Sequence, residues 1–216
     1  MIICGDFGGV WDNSASEHYW LDWLSCRPFT TLFIDGNHEN FDMLAKLPVT
    51  EWHGGTVHFV RKNIIHLMRG QIYNIENHSF FTMGGAASHD ISGGILEPTD
   101  PNLKNKIKRL KTQNSPYRIN HQSWWKEEMP NTNEYSLAEE NLNTCNHTVD
   151  YIITHCAPTS ALDVISLSTY QPDELTEYLE RVNKTCTYKH WFFGHYHNDK
   201  LLNQRMQLLY KQIIKI

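Results

Sequence analysis

Four short apolar runs of this 216-residue sequence are each followed by side chains that can hold a metal ion. In chain order these side chains are Asp6, Asn37, His155 and the pair His195 and His197. In open α/β sheets, functional groups gather beyond the carboxyl ends of the strands. We therefore expect the five side chains to converge at one edge of a sheet.

The donor atoms of this set are carboxylate and amide oxygens and imidazole nitrogens, without a thiolate. Such donors suit Mn, Fe, Zn or Ni better than a soft metal. A carboxylate such as Asp6 can bridge two ions, and two ions about 3.5–4 Å apart can clamp a phosphate and generate a hydroxide nucleophile between them. His195 and His197 would point the same way on an extended segment, but on a turn they can face two different ions. The pattern predicts a hydrolytic metal site.

Predicted strands alternate with predicted helices along the chain, which favours an α/β fold. The predicted strands lie at 2–4, 30–34, 151–155 and 191–197, with a β-rich region at 57–83, and the predicted helices at about 16–25, 41–47 and 172–184. Two apolar segments, 206–210 and 212–216, are expected to finish the chain as an edge hairpin. We predict a single domain over residues 1–216, with a polar helical insertion at about 101–145.

The composition excludes several classes of protein. Apolar residues make up 40% and charged residues 20%, which is typical of a globular domain. The formal net charge of −5 argues against a general coat for long nucleic acid. The five cysteines are scattered without a C-x-x-C pair, so a disulfide framework and a cysteine zinc site are not expected. With no long apolar run and no signal peptide, we expect a cytoplasmic protein without membrane contacts.

Four motifs resemble those of the calcineurin-like metallophosphoesterases. They are Gly5-Asp6, Gly36-Asn37-His38-Glu39, Thr154-His155 and Gly194-His195-Tyr196-His197. They are similar, in type and order, to the second to fifth motifs of that family. The resemblance implies two packed mixed sheets flanked by helices, with a dimetal site at the strand ends. It also implies hydrolysis of a phosphomonoester or a phosphodiester through attack by a metal-bound hydroxide.

The resemblance implies a role for each matched residue. Asp6 would be the bridging carboxylate of the metal site. Asn37, His155 and His195 would hold one metal ion, and His197 would hold the other. The ions implied are divalent, Mn or Fe, with Zn as a further candidate.

The resemblance also makes His38 the catalytic residue. It would lie next to the phosphate and stabilise the transition state or protonate the leaving oxygen, and a general acid of that type contributes about 10²–10⁴ in rate. Gly9 stands where many family members carry an aspartate that orients this histidine. Asp12 is the candidate replacement for that aspartate.

The family's first motif, Asp-x-His on the first strand, is not matched, because only five residues precede Asp6. A strand–helix–strand unit needs roughly 30 residues, so we expect that about one strand–helix unit is missing upstream. One of the two metal sites would then be weak or empty, leaving perhaps one ion. Three alternatives stay open: a catalytically degenerate binding or scaffold module, a misassigned start of a complete enzyme, and a single-metal hydrolase.

Three further residues are candidates for binding a phosphorylated small molecule or nucleotide. His89 lies in a glycine-led loop, and Arg118 and His121 lie in the polar insertion. Arg118 can hold a phosphate as a bidentate fork. Trp124 and Trp125 follow closely, and they either stack on a base or anchor the insertion onto the core.

Overall fold

The computed structural model describes residues 1–166 and 170–216. The strands among these residues are β1 (Ile2–Ile3), β2 (Thr31–Phe33), β3 (Val49–Trp52), β4 (Gly55–Arg61), β5 (Ile64–Leu67), β6 (Gln71–Ile75), β7 (His78–Met83), β8 (Ile95–Leu96), β9 (Arg118–Ile119), β10 (Tyr151–Thr154), β11 (His190–Phe193), β12 (Lys200–Asn203) and β13 (Met206–Leu208). The helices are α1 (Ala15–Ser25), α2 (Phe41–Leu44), α3 (Leu103–Thr112), α4 (Thr132–Thr144), α5 (Thr159–Ser166) and α6 (Glu174–Thr185), with a 3-10 helix at Lys126–Glu128.

The strands form two main sheets and one small one. The first sheet has the order β1-β2-β5-β4-β3, and the second has the order β12-β13-β11-β10-β7-β6. The strands β1, β2 and β5 run parallel, as do β7, β10, β11 and β13, while the remaining pairings in these two sheets are antiparallel. β8 and β9 pair separately. The predicted architecture of two mixed sheets flanked by helices is confirmed.

An apolar interior lies between the two main sheets. Leu32 and Ile65 of the first sheet and Ile153 and Phe192 of the second belong to one buried cluster. Because side chains alternate along a strand, Phe33 points to the opposite face of β2 from Leu32. Phe33 joins a second cluster with residues of α1 and α2. The molecule is therefore layered as helix, sheet, sheet, helix.

The helices α4, α5 and α6 cover the outer face of the second sheet. They contribute to a third buried cluster that also holds Phe81, Trp191 and Phe193 from the strands. Burying one such large side chain stabilises the fold by roughly 1.5–3 kcal/mol. This packing holds β7, β10 and β11 in place, and so it also determines where the residues that follow these strands lie.

The stretch predicted as an insertion contains α3, β9, the 3-10 helix and α4. β9 is the strand that pairs with β8. In α4, Ala138 and Leu142 are fully buried against the second sheet. The helix begins with a capping box, in which Asn131 and Glu134 each accept a hydrogen bond from the other's backbone N–H. This part of the stretch is thus a core helix, and the boundaries of an insertion stay a prediction.

The prediction for the end of the chain is wrong. The edge hairpin is formed by β12 and β13, not by the segments 206–210 and 212–216. The Asp199 carboxylate accepts hydrogen bonds from the backbone N–H groups of Tyr210, Lys211 and Gln212. The backbone N–H groups of residues 210–212 therefore bind the Asp199 carboxylate instead of a neighbouring strand. Residues 211–216 form no strand. The helix α5 was not predicted, and α2 ends at Leu44 rather than at residue 47. The strand predicted over 191–197 is also too long, because β11 ends at Phe193 and both His195 and His197 have a positive φ.

No helix within residues 1–166 and 170–216 combines the length and the apolar character needed to cross a bilayer.

Candidate metal centre and active site

The parallel strands of both sheets end at a shared edge, and the predicted ligands lie there. Asp6 follows β1 and Asn37 follows β2, while His155 and His195 follow β10 and β11. The Asn37 Oδ1 atom lies 3.2 Å from His155 Nε2, and Asp6 Oδ1 lies 3.4 Å from the same nitrogen. The structure therefore brings Asp6, Asn37 and His155 together from both sheets.

The orientation of the His155 ring is set by a backbone carbonyl. Its Nδ1 lies 2.7 Å from the carbonyl oxygen of Cys4, in the loop after β1. A carbonyl only accepts, so Nδ1 carries a hydrogen and donates it. The other nitrogen, Nε2, then faces the oxygens of Asn37 and Asp6. In a neutral ring Nε2 is itself an acceptor, so either a proton or a cation must lie between it and these oxygens.

The charges of this group depend on one another. Burial alone would raise the pKa of the Asp6 carboxyl, but the hydrogen bond and charge of His155 and the backbone N–H of His38 hold that pKa below its usual value. Burial alone would lower the pKa of His155, but Asp6, the Cys4 carbonyl and Asp35 together outweigh burial and raise that pKa. The pocket thus favours positive charge at Nε2 of His155, which is 1% exposed. A divalent cation between the three residues would satisfy the same preference.

Close backbone packing places Asp6 in this position. Its φ is 54°, a left-handed conformation that is uncommon for a residue other than glycine. Its Oδ1 accepts a hydrogen bond of 2.9 Å from the backbone N–H of His38. A Cβ on Gly5 would lie 2.1 Å from the Nδ1 atom of His155, so only glycine allows the first loop to pass the ring at this distance.

His195 lies beside this group. Its ring centroid is 5.1 Å from that of His155 and 5.3 Å from that of His89. Burial and the neighbouring imidazoles His155 and His89 lower the pKa of His195 to about 2. The ring is therefore neutral at physiological pH, which is the protonation state that binds metals.

His197 has a different environment. Its side chain is exposed, and its ring centroid lies 5.1 Å from that of Tyr210. Across residues 1–166 and 170–216, no three His, Cys, Asp or Glu side chains are arranged as a metal-binding group. The cluster that the structure does form takes its third donor from the amide of Asn37. A set of two oxygens and one imidazole fits one divalent cation, with His195 adjacent, and the role of His197 stays a prediction.

His38 follows Asn37 and is only partly buried, next to the cluster of Asp6, Asn37 and His155. Burial lowers the pKa of its half-buried ring, with opposing contributions from Asp6 and Asp90. The prediction that Asp12 replaces the orienting aspartate is wrong. The Asp12 carboxylate instead accepts a hydrogen bond of 2.9 Å from the backbone N–H of Ser14, in the turn that begins α1.

The three predicted substrate-binding residues lie in different surroundings. The Arg118 guanidinium forms a two-point contact with the Asp90 carboxylate, and its charge acts on His38. The His89 ring lies between His195, at 5.3 Å, and Tyr170, at 4.7 Å. Arg118 and His89 therefore border the cluster. Their binding of substrate stays a prediction.

His121 and Trp125 are held by α2 instead. The Asp42 carboxylate lies 2.9 Å from His121 Nδ1 and accepts a hydrogen bond of 2.8 Å from the Trp125 indole. Trp125 is 1% exposed, so it anchors the insertion onto the core and has no free face for a base. Within the described part of the chain, His121 makes its hydrogen bond to Asp42 and none to Asp6, Asn37 or His155, and its role in substrate binding stays a prediction.

Two buried acids at this edge were missed as functional candidates. Glu39 accepts hydrogen bonds from the backbone N–H groups of Phe7, at 2.7 Å, and Gly8, at 3.3 Å, and so ties the loop after β1 to that after β2. Burial raises the pKa of Glu39 to about 8. Glu128, in the 3-10 helix, contacts Ser88 near Asn37. Glu39 is the last residue of the Gly36-Asn37-His38-Glu39 motif, whereas Glu128 belongs to no motif of the polar stretch around it.

The comparison with protein families agrees with this geometry. The family model for calcineurin-like phosphoesterases matches residues 1–199. The chain therefore belongs to the calcineurin-like phosphoesterase family. No curated protein matches the chain. The family supports a phosphoesterase type of function, and its members generally bind divalent metals.

Proposed function

We propose that this protein is a metal-dependent hydrolase of phosphoric esters, acting on a phosphomonoester or a phosphodiester. One observation carries the proposal. His155 donates its Nδ1–H to the Cys4 carbonyl and directs Nε2 at the oxygens of Asp6 and Asn37. A hydrogen bond to the far nitrogen of a ligating histidine is the usual way in which proteins orient the ring toward a metal.

Asp6, Asn37 and His155 would hold the cation, with the neutral ring of His195 as a fourth donor and His197 as the predicted ligand of a second ion. When bound, a divalent cation would polarise the phosphate and lower the pKa of a bound water. Mn or Fe is the proposed metal, and Zn is the further candidate. The buried surroundings of His155 strengthen each electrostatic contact made there.

Two side chains border the place where a phosphate would lie. His38 would donate a hydrogen bond to the phosphate or to the leaving oxygen. Arg118 presents a planar fork that matches two phosphate oxygens. Asp90 occupies that fork in the structure, so the phosphate would take the place of this carboxylate. With a net charge of −5, the protein is better suited to a small phosphorylated molecule or a nucleotide than to long nucleic acid.

A pair of histidine variants tests the proposal. Hydrolysis of bis-p-nitrophenyl phosphate and p-nitrophenyl phosphate is measured with added Mn²⁺ and after chelation. We expect hydrolysis that requires the metal and falls about 10²–10⁴-fold in His38→Ala. His78→Ala is the matched control, because His78 begins β7 at the opposite end of that strand from the site. The control should keep its rate.

Either of two results would contradict the proposal. One is a rate that is unaffected by chelation. The other is a wild-type rate in His38→Ala with the metal present. A folded protein without hydrolysis of either ester would favour the alternative of a degenerate binding module. We further propose that the protein acts in the cytoplasm on a small phosphorylated molecule.

A further inference from the structure

A buried chain of hydrogen bonds runs from Asn37 to the 3-10 helix of the polar stretch. The Asn37 Nδ2 atom donates to Ser88 Oγ at 3.1 Å, and Ser88 Oγ donates to Glu128 Oε2 at 2.6 Å. The backbone N–H of Ser88 donates to the other carboxylate oxygen, Oε1, at 2.9 Å. Asn37, Ser88 and Glu128 are 4%, 8% and 4% exposed. The chain is therefore shielded from solvent.

The direction of this chain follows from the number of hydrogens available. A carboxylate only accepts, so the single hydrogen of the Ser88 hydroxyl goes to Glu128. The hydroxyl oxygen is then left as an acceptor toward Asn37. The Asn37 amide must present its NH₂ group to Ser88, which turns its oxygen toward His155. An amide oxygen binds a hard cation, whereas an NH₂ group does not.

The backbone of Glu128 is held independently of its side chain. Arg69 Nη2 donates to the carbonyl oxygens of Glu127 and Glu128, at 2.7 and 3.4 Å. The same guanidinium donates to Asp35 at 2.5 and 2.8 Å. Asp35 lies two residues before Asn37, and both Arg69 and Asp35 are buried. The 3-10 helix is thus fixed against the loop that carries Asn37.

The loop that carries Ser88 is fixed between the same partners. The backbone N–H of Gly85 donates to the Asp35 carbonyl at 3.0 Å, and that of Ala86 donates to the Glu128 carbonyl at 3.1 Å. A Cβ on Gly85 would lie 2.5 Å from the Glu128 carbonyl oxygen, so glycine is needed for this close approach. Glu128 and Ser88 therefore have little freedom to reorient around Asn37.

We propose that Glu128, acting through Ser88, is a positioning residue that fixes the amide of Asn37 with its oxygen toward the cation. The inference rests on the proposed function, since it takes Asn37 as a metal ligand. In Glu128→Gln the new amide can donate to Ser88 Oγ. The Ser88 hydroxyl is then free to donate its hydrogen to Asn37. This would stabilise the reversed orientation of the Asn37 amide, in which Oδ1 faces Ser88 and the NH₂ group faces the cation.

Mn²⁺ affinity, measured by the electron paramagnetic resonance signal of free Mn²⁺, tests this role without relying on activity. We expect Glu128→Gln to raise the Kd about 10–100-fold, the usual range for a group that orients a metal ligand. Ser88→Ala should also raise it, and serves as the second variant if Glu128→Gln does not fold. Glu127→Gln is the matched control, because Glu127 is the adjacent residue of the same 3-10 helix, its Oε1 atom lies 3.9 Å from Lys126 Nζ, and its Oε2 atom accepts no hydrogen bond from the described residues. Its Kd should stay within about twofold of wild type.

The double variant separates positioning from general destabilisation. In an Asn37→Ala background, Glu128→Gln should raise the Kd no further, because its effect passes through Asn37. Equal effects of Glu128→Gln with and without Asn37 would overturn the proposal, as would wild-type affinity in both Glu128→Gln and Ser88→Ala while Asn37→Ala binds weakly. Wild-type affinity in Asn37→Ala would instead overturn the ligand role itself and the proposed site with it.

Discussion

A Cβ atom on Gly36 would lie 2.1 Å from the Oδ1 atom of Asp6. The same Cβ would lie 2.5 Å from the backbone nitrogen of Asp6. The loops after β1 and β2 therefore touch through backbone at this point. This contact places the Asp6 carboxylate beside the backbone N–H of His38 and near His155.

Gly36→Ala should damage both stability and metal binding, because the added methyl group pushes Asp6 away. We expect a loss of about 1–3 kcal/mol in the free energy of unfolding, together with weakened Mn²⁺ binding. Gly54→Ala is the control. Gly54 lies in the turn between β3 and β4 with a φ of +93°, so the substitution costs stability. Its Cβ would meet Asn74 Nδ2 at 3.4 Å and the Ile72 carbonyl oxygen at 3.6 Å, which are both ordinary contacts. Denaturant unfolding and Mn²⁺ titration of both variants check this, and equal Mn²⁺ affinity of the two would contradict it.

Arg118 and Asp90 should have opposite effects on substrate binding. Arg118→Ala removes a bidentate, charge-assisted contact and should raise KM for a phosphate ester about 10–100-fold. Asp90→Asn removes the carboxylate that occupies the guanidinium and should lower KM. Arg27→Ala is a suitable control, since Arg27 stacks on Trp23 in α1, at 4.3 Å from the ring centroid. Steady-state kinetics measures all three, and an unchanged KM in Arg118→Ala rules out this phosphate contact.

Trp125 should contribute strongly to stability through its burial. Trp125→Ala removes a fully buried indole and its hydrogen bond to Asp42, and should cost about 3–5 kcal/mol. Trp20→Ala provides the matched control, because Trp20 is 58% exposed on α1. That change should cost less than about 1 kcal/mol. The comparison is made by denaturant unfolding, and similar losses in the two variants would mean that Trp125 does not anchor the insertion.

His58 should make the fold sensitive to acid. Burial and the neighbouring His66 lower the pKa of His58 to about 4. Between pH 6.5 and 4 the unfolded chain therefore binds a proton here that the folded chain does not, so stability falls as the pH falls through this window. Glutamine does not titrate, so in His58→Gln neither the unfolded nor the folded chain binds a proton at this position. The variant should therefore lose about 1–3 kcal/mol less stability between pH 7 and pH 4.5 than the wild type.

The measurement for His58 is the free energy of unfolding at both pH values for the wild type and the variant. His78→Gln is the control, since the His78 side chain is partly exposed, 43% accessible, and lies 3.8 Å from Asp150 rather than beside another histidine. The control should keep the acid sensitivity of the wild type. If His58→Gln is as sensitive to acid as the wild type, another group carries the titration.

The sequence was sufficient to locate the strands that precede Asp6, Asn37, His155 and His195, because each is a short apolar run followed by a polar residue. It did not show that the last of these strands ends at Phe193. The parallel pairing of these strands follows from the α/β alternation. The prediction failed at the end of the chain. There the Asp199 side chain takes up the backbone N–H groups of residues 210–212, and apolar composition alone does not reveal such a contact.

The residues that hold the site in place were harder to find from the sequence. Glu128 lies 91 positions after Asn37 in a polar stretch, and only the fold brings the two near each other. Asp12 was the candidate replacement for the aspartate that many family members carry at the position of Gly9, but its carboxylate caps a local turn. Local patterns thus indicate donor residues, while long-range packing decides which polar groups orient them.

The metal content of the purified chain tests the central claim most directly. The protein is loaded with Mn²⁺, freed of unbound metal and examined by elemental analysis, beside His155→Ala as the variant that removes the central imidazole. We expect at least one Mn per chain in the wild type and a clear loss in His155→Ala. A folded wild-type protein that retains no metal would contradict the account.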